Sequence, residues 1–314
     1  MKLAMVFPGQ GSQSVGMLKG YAGLPEIQNI LKEAERALGP AFVRLLDEGP
    51  AEALNQTVNT QPAMVTAGYA VYRAWRALGG PAPELAAGHS LGEYTALTAA
   101  GALSFADCLP LVHFRAQAMQ EAVPQGQGAM AAVLNLDDEH VVAACAEVEE
   151  EMQGGVVQAV NFNAPGQVVI AGEKAAVERA IEKCKARGAK RAMPLPVSAP
   201  FHSTLMQPAA DRLKRHIQSV AMAAPQFSVV NNVDVKAERD PARIKDALVR
   251  QAASPVRWVE TIRQMVEGGA THIIECGPGR VLAGMTKRIA PQVQSFALND
   301  RAALEAALEA VKGA

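Results

Sequence analysis

The chain has 314 residues, 49% hydrophobic and only 4% aromatic, with 30 Lys and Arg nearly balancing 31 Asp and Glu. That is apolar material for one large domain or two modest ones, while the even charge and scarce rings speak against a nucleic-acid partner, which needs a basic face or a stacking platform. Four distant cysteines (Cys108, Cys145, Cys184, Cys276) without C-x-x-C pairing argue against a metal set or a disulfide framework and for a reduced, cytoplasmic protein.

The opening apolar run through Phe7 is too short for a signal peptide or membrane span and reads as a buried strand, so no membrane role is expected. It meets Pro8-Gly9-Gln10-Gly11-Ser12-Gln13, a loop placed where open α/β sheets hold ligands. The uncharged amide donors of Gln10 suit an oxyanion. A plain turn or a phosphate cradle are the alternatives, although the Walker lysine spacing and G-x-G-x-x-G are absent. Helical periodicity over residues 26–38 and 60–78 stops at Gly79-Gly80-Pro81-Ala82-Pro83.

The strand Leu85-Ala86-Ala87 then runs into Gly88-His89-Ser90-Leu91-Gly92, followed by a helix from Tyr94 to Ala100. Gly88-x-Ser90-x-Gly92 is the nucleophile-elbow pattern, a strand-to-helix corner that exposes the serine hydroxyl. The unpaired N–H of Leu91, at the start of that helix, faces the same side. The competing reading is a tight turn in which Ser90 only caps the helix. Ser104 is the predicted N-cap of a helix to about Ala122, with Asp107 in the capping-box position. Arg115, among apolar neighbours and sharing a face with Met119, either offers a fork to a carboxylate or snorkels to solvent.

From residue 126 the pattern changes. Strand 129–134, helix 137–152, strands 156–161 and 167–171, helix 174–187 and strand 189–195 give βαββαβ, the ferredoxin-like pattern, read as a small domain over 126–196 inserted into a larger one formed by 1–125 and 197–314. The chain leaves it through a segment with prolines at 194, 196 and 200, which stiffens the approach to His202. A rigidly presented histidine suits a general base for Ser90. Lys190 and Arg191 are either contacts for anionic groups or a solvated pair. Strands at 227–233, 271–275 and 294–298 alternate with helices at 241–252, 255–267, from 282 and from 301, which is the rhythm of a parallel α/β sheet.

Taken together, Phe7-Pro8-Gly9-Gln10-Gly11-Ser12-Gln13, Gly88-His89-Ser90-Leu91-Gly92-Glu93-Tyr94, Phe114-Arg115-Ala116-Gln117-Ala118-Met119, Asn161-x-Asn163-x-Pro165-Gly166-Gln167, Ala199-Pro200-Phe201-His202-Ser203, Ser254-Pro255-Val256-Arg257-Trp258 and Glu275-Cys276-Gly277-Pro278-Gly279 span the chain. They resemble the malonyl-CoA:acyl carrier protein transacylases and the acyltransferase domains of fatty acid and polyketide synthases. The resemblance implies an α/β-hydrolase-like domain with a parallel sheet carrying the ferredoxin-like insert. It implies a ping-pong transfer of malonyl from malonyl-CoA to the pantetheine thiol of acyl carrier protein, in a monomer with no cofactor and no metal. Ser90 would be the nucleophile, His202 its base, Leu91 and Gln10 the oxyanion donors, and the Gln251 carbonyl the orienter of His202. Arg115 would hold the malonyl carboxylate, with Met119, Phe201, Asn161 and Val197 around the acyl group and Phe201 disfavouring, without absolutely excluding, an extra methyl. A serine hydrolase, a non-catalytic carrier-binding module, or a relative charging a different carrier are the competing readings.

Overall fold

In the computed structural model, which describes residues 1–197 and 199–313, strand β1 (Leu3–Phe7) is buried along its whole length. Ser198, inside the predicted proline-stiffened segment, and Ala314 lie outside the described residues. A continuous apolar run of this kind marks a strand covered on both faces. β1 lies in the middle of a five-stranded sheet, and the strands that share it arrive from far along the chain.

After β1 come helices α1 (Pro25–Leu38), α2 (Pro40–Glu48), α3 (Ala51–Leu54) and α4 (Thr57–Ala77), then β2 (Leu85–Gly88), α5 (Gly92–Ala99) and α6 (Phe105–Glu121). The short α2 and α3 lie between the two predicted helices at 26–38 and 60–78. The predicted cap of α6 forms, with Asp107 N–H donating to Ser104 Oγ at 3.0 Å. The shorter Asp107 carboxylate accepts from the serine hydroxyl at 2.6 Å, where a capping box would have it accept from the backbone N–H of Ser104.

A second sheet follows: β3 (Gly128–Leu134), α7 (Asp138–Glu151), β4 (Val157–Ala164), β5 (Gln167–Glu173), α8 (Lys174–Ala186) and β6 (Arg191–Pro194). Its order is β4-β5-β3-β6, antiparallel throughout, as the βαββαβ pattern requires. One face packs under α7 and α8 through Val133, Val157, Val168 and Ile170. The other carries Met130, Val160, Val169 and Ala171 against Met119, Phe201 and Met206. The side-chain alternation of these strands therefore divides a closed core from a wall facing the rest of the chain.

The chain then gives α9 (Gln207–His216), β7 (Ser228–Val230), α10 (Pro241–Gln251), α11 (Trp258–Glu267), β8 (His272–Glu275), α12 (Val281–Ile289), β9 (Gln294–Ala297) and α13 (Arg301–Lys312). The large sheet runs β7-β2-β1-β8-β9, every pairing parallel. The strand expected at 227–233 ends at Val230, because Asn231 N–H donates to the Lys236 carbonyl in a turn and Asn232 N–H to the Glu93 carboxylate. Parallel strands present their carboxyl ends on one side, so the segments after β1, β2 and β7 (Pro8–Gln10, His89–Ser90 and Asn231–Asn232) converge there.

Candidate active site

The corner after β2 is built by backbone proximity. A Cβ on Gly88 would lie 1.8 Å from the Gly92 carbonyl carbon, and one on Gly92 would lie 2.2 Å from the Phe7 oxygen. Only glycine fits either place. Between them Ser90 sits at φ 51°, in the left-handed region that side chains other than glycine's disfavour. Asn232 holds the corner: its Oδ1 accepts from Ser90 N–H at 2.8 Å and its Nδ2 donates to the Gly88 carbonyl at 2.8 Å.

Ser90 Oγ lies 2.7 Å from His202 Nε2, and His202 Nδ1 lies 2.9 Å from the main-chain oxygen of Gln251. A carbonyl only accepts, so Nδ1 carries the proton, Nε2 is bare, and the serine hydroxyl donates to it. Burial, together with the nearby Arg115 charge, holds the His202 pKa down to about 3. The imidazole is therefore a neutral base at ordinary pH. His202 adopts φ 66° in a turn where Ser203 Oγ donates to the Pro200 carbonyl at 2.7 Å. Its placement thus rests on that turn as well as on the prolines before it.

Arg115 is 1% exposed, which removes the snorkelling alternative. Nη1 donates to Gln61 Oε1 at 2.7 Å; Nη2 donates to Gln251 Oε1 at 2.9 Å and to Ser90 Oγ at 3.2 Å. Its charge lies 5.4 Å from the Tyr94 ring centroid. Among the described residues no carboxylate forms an ion pair with it. Desolvation pushes its pKa down, although charge contributions from nearby Tyr94 and Glu93 oppose the shift.

These groups open on a cavity of about 590 Å³ lined also by Gln10, Leu91, Met119, Asn161, Val197 and Phe201. All the predicted site residues thus reach one place, with Gln251 standing behind His202 and Arg115. The Gln10 side-chain amide, expected to face the oxyanion, instead donates to Thr57 Oγ1 at 3.3 Å. Its main-chain N–H and that of Leu91 have no hydrogen-bond partner among the described residues. Asn161 Oδ1 is likewise unpartnered. His89 turns from Ser90 as expected, its Nε2 2.7 Å from Asn163 Oδ1 and its ring against Trp258.

The sequence profile described as acyl transferase domain matches residues 4–300. This chain belongs to the acyl transferase family. It is 53% identical to the malonyl CoA-acyl carrier protein transacylase of Escherichia coli K12, over 98% of this chain and 99% of that protein. The crystal structure of the acyl-carrier-protein S-malonyltransferase of Burkholderia pseudomallei 1710b matches at 60% identity and TM-score 0.96, covering 98% and 100% of the two chains. A type II polyketide synthase acyl-carrier protein in complex with its malonyl-transacylase matches at 51% identity and TM-score 0.96, covering 99% and 100%.

Within this acyltransferase, Lys190 and Arg191 do not join the site. Arg191 opens β6, four residues or about 13 Å of strand from Leu195 at the cavity, and Lys190 lies one residue farther. Gln61, Glu93 and Asn232, by contrast, were not singled out from the sequence, yet they hold Arg115 and the Ser90 corner in place. Asn232 had a usable signal, a polar pair at the carboxyl end of a buried parallel strand. Among the described residues no group of three His, Cys, Asp or Glu could hold a metal, and no helix is long and apolar enough to cross a membrane.

Proposed function

We propose that this acyltransferase moves the malonyl group of malonyl-CoA to the phosphopantetheine thiol of acyl carrier protein through a malonyl ester on Ser90. The observation that carries this reading is the buried Arg115 guanidinium, beside the nucleophile, whose direct hydrogen-bond partners are Gln61, Gln251 and Ser90. No carboxylate among the described residues contacts the guanidinium directly, and an acyl chain ending in a carboxylate supplies that contact as a charge-assisted, fork-shaped pair.

The chemistry follows from the geometry. Ser90 Oγ attacks the thioester carbonyl as its proton passes to His202 Nε2. The N–H groups of Leu91 and Gln10 take the developing oxyanion. Collapse of the tetrahedral adduct breaks the C–S bond, and His202 returns its proton to the departing CoA thiolate. The carrier thiol then repeats the sequence in reverse, His202 taking its proton, and free Ser90 is regenerated. Binding the malonyl carboxylate also offsets the Arg115 charge that opposes an imidazolium at His202, so the correct substrate strengthens the base it needs. Phe201, with Met119, Val197 and Asn161, lines the acyl position, and crowding by its ring disfavours a methylmalonyl branch by ~1–3 kcal/mol.

Ser90, His202, Arg115 and the Gln251 carbonyl belong to one chain, so a single subunit carries the whole transfer, and we infer a monomer that acts on its CoA substrate without a further cofactor. Four buried, unpaired cysteines support a cytoplasmic protein. We place the inserted unit at 126–196 and the catalytic unit at 1–125 and 197–314, in keeping with the two sheets.

Intact-protein mass after brief exposure to malonyl-, acetyl- and methylmalonyl-CoA tests the reading. A malonyl-sized adduct is expected on the parent, none on Ser90→Ala, and an acetyl preference on Arg115→Ala. Rapid CoA release without an adduct would indicate a hydrolase instead.

A further inference from the structure

Glu93, on the first turn of α5, is 2% exposed and touches neither the cavity nor the reacting atoms. Its Oε2 accepts from Asn232 N–H at 3.0 Å and from Gln251 Nε2 at 2.8 Å, and the other end of the same Gln251 amide accepts from Arg115 Nη2 at 2.9 Å. One planar amide therefore joins the buried carboxylate to the buried guanidinium. The two hydrogen bonds to Glu93 require only an acceptor, which a glutamine would also supply. What the carboxylate adds is a charge.

Resting on the functional reading above, we propose that Glu93 is a positioning residue for Arg115: it is the counter-charge of the guanidinium in the substrate-free enzyme, coupled through Gln251, and the acyl carboxylate of the substrate displaces it from that role as Glu93 takes up a proton from solvent. Two anions cannot both be compensated by one buried cation without cost, and the more deeply buried one is the one that protonates. Burial already lifts the Glu93 pKa to about 7, where a second anion on Arg115 tips it to the neutral form. The charged groups facing Glu93 are Arg115 from α6, Asp234 after β7, which Arg250 of α10 pairs, and Glu238, which lines a small void with it. Tyr94 is a further titratable neighbour and His202 lies across Gln251. That void, about 10 Å³, is about the size one water needs, and Glu238 is partly exposed, so a proton has a way in.

The test compares kcat/KM for malonyl-CoA and acetyl-CoA in transfer to phosphopantetheinylated carrier, across pH, in the parent and in Glu93→Gln. Both substrates share CoA, thioester, Ser90 and His202, so their ratio isolates the carboxylate and Arg115. In the parent the malonyl-to-acetyl ratio is expected to fall roughly tenfold as pH rises through 7, because ionised Glu93 then competes for the guanidinium. In Glu93→Gln the ratio is expected to stay high and flat, the change lying in the malonyl KM. An equal loss for both substrates would mark a structural role and overturn the inference. So would a pH-independent ratio in the parent, which decides the matter even if the variant does not fold. No malonyl loading of Ser90 in the parent overturns the functional reading and this inference with it, whereas loading with a pH-independent ratio overturns the inference alone.

Discussion

Behind the four-stranded sheet, Val141 of α7 and Ile181 of α8 close over Val133, Val157 and Ile170, while beneath the carboxyl ends of β1, β2 and β7 the chain buries Gln61, Glu93, Arg115, His202, Asn232 and Gln251. The first region keeps its charge outside, where Glu147 and Glu151 pair with Lys183, Arg187 and Arg179 on exposed helix faces. The second takes charge inside and satisfies it with amides. Burying polar groups is costly unless each finds a partner, and here the cost is concentrated where acyl transfer needs fixed donors and a dry base. The small sheet contributes an apolar wall that keeps those groups where they are.

That contrast can be broken at several points. The largest effect is expected for His202→Ala, which removes the base from an otherwise intact cavity and should slow Ser90 acylation by ~10²–10⁴-fold in rapid-quench measurements with malonyl-CoA. Ile170→Ala, in the closed core behind the small sheet, should cost about 2–5 kcal/mol of unfolding free energy in urea titrations yet leave the acylation rate unchanged. A matching loss of rate would mean the two regions are not mechanically separate.

A third effect is read from pH. His202 is held at about 3 in the folded chain, below its ordinary value near 6.5, so the unfolded state binds the proton more readily in between. Stability from this group is complete above about 6.5 and is lost as pH falls towards 3. The difference in urea midpoint between parent and His202→Ala should follow that window, which separates this residue from the other buried histidines. The smallest effect is expected for Glu151→Gln, which breaks exposed ion pairs with Arg179 and Lys183 and should leave the melting temperature essentially unmoved in calorimetry.

What could be read from the sequence divides along the same line. The Ser90 corner was legible because backbone collisions at Gly88 and Gly92 admit only glycine, and the βαββαβ unit because its elements are local and periodic. Arg115 stood out as a cation among apolar residues, although its burial could not be told from snorkelling. Gln61, Glu93 and Asn232 were not legible, since each matters through a partner up to 158 residues away and amides look alike in a string of letters. The order of the parallel strands was hidden for the same reason. For Gln10 nothing in the sequence tells which way the side chain faces: it lines the cavity but turns its amide to Thr57, a contact across 47 positions.

The main-chain oxygen behind His202 bears on how long the charged enzyme can wait. A carboxylate there would stabilise an imidazolium and help water attack the ester on Ser90, as in a hydrolase triad. A neutral carbonyl gives less help, and water, the harder nucleophile to deprotonate, suffers more than a thiol with a pKa near ~8.5. The same oxygen that orients the base thus slows the wasteful reaction more than the useful one. The ester becomes a dwell state, a loaded form whose lifetime is set by the arrival of a thiol rather than by the solvent around it.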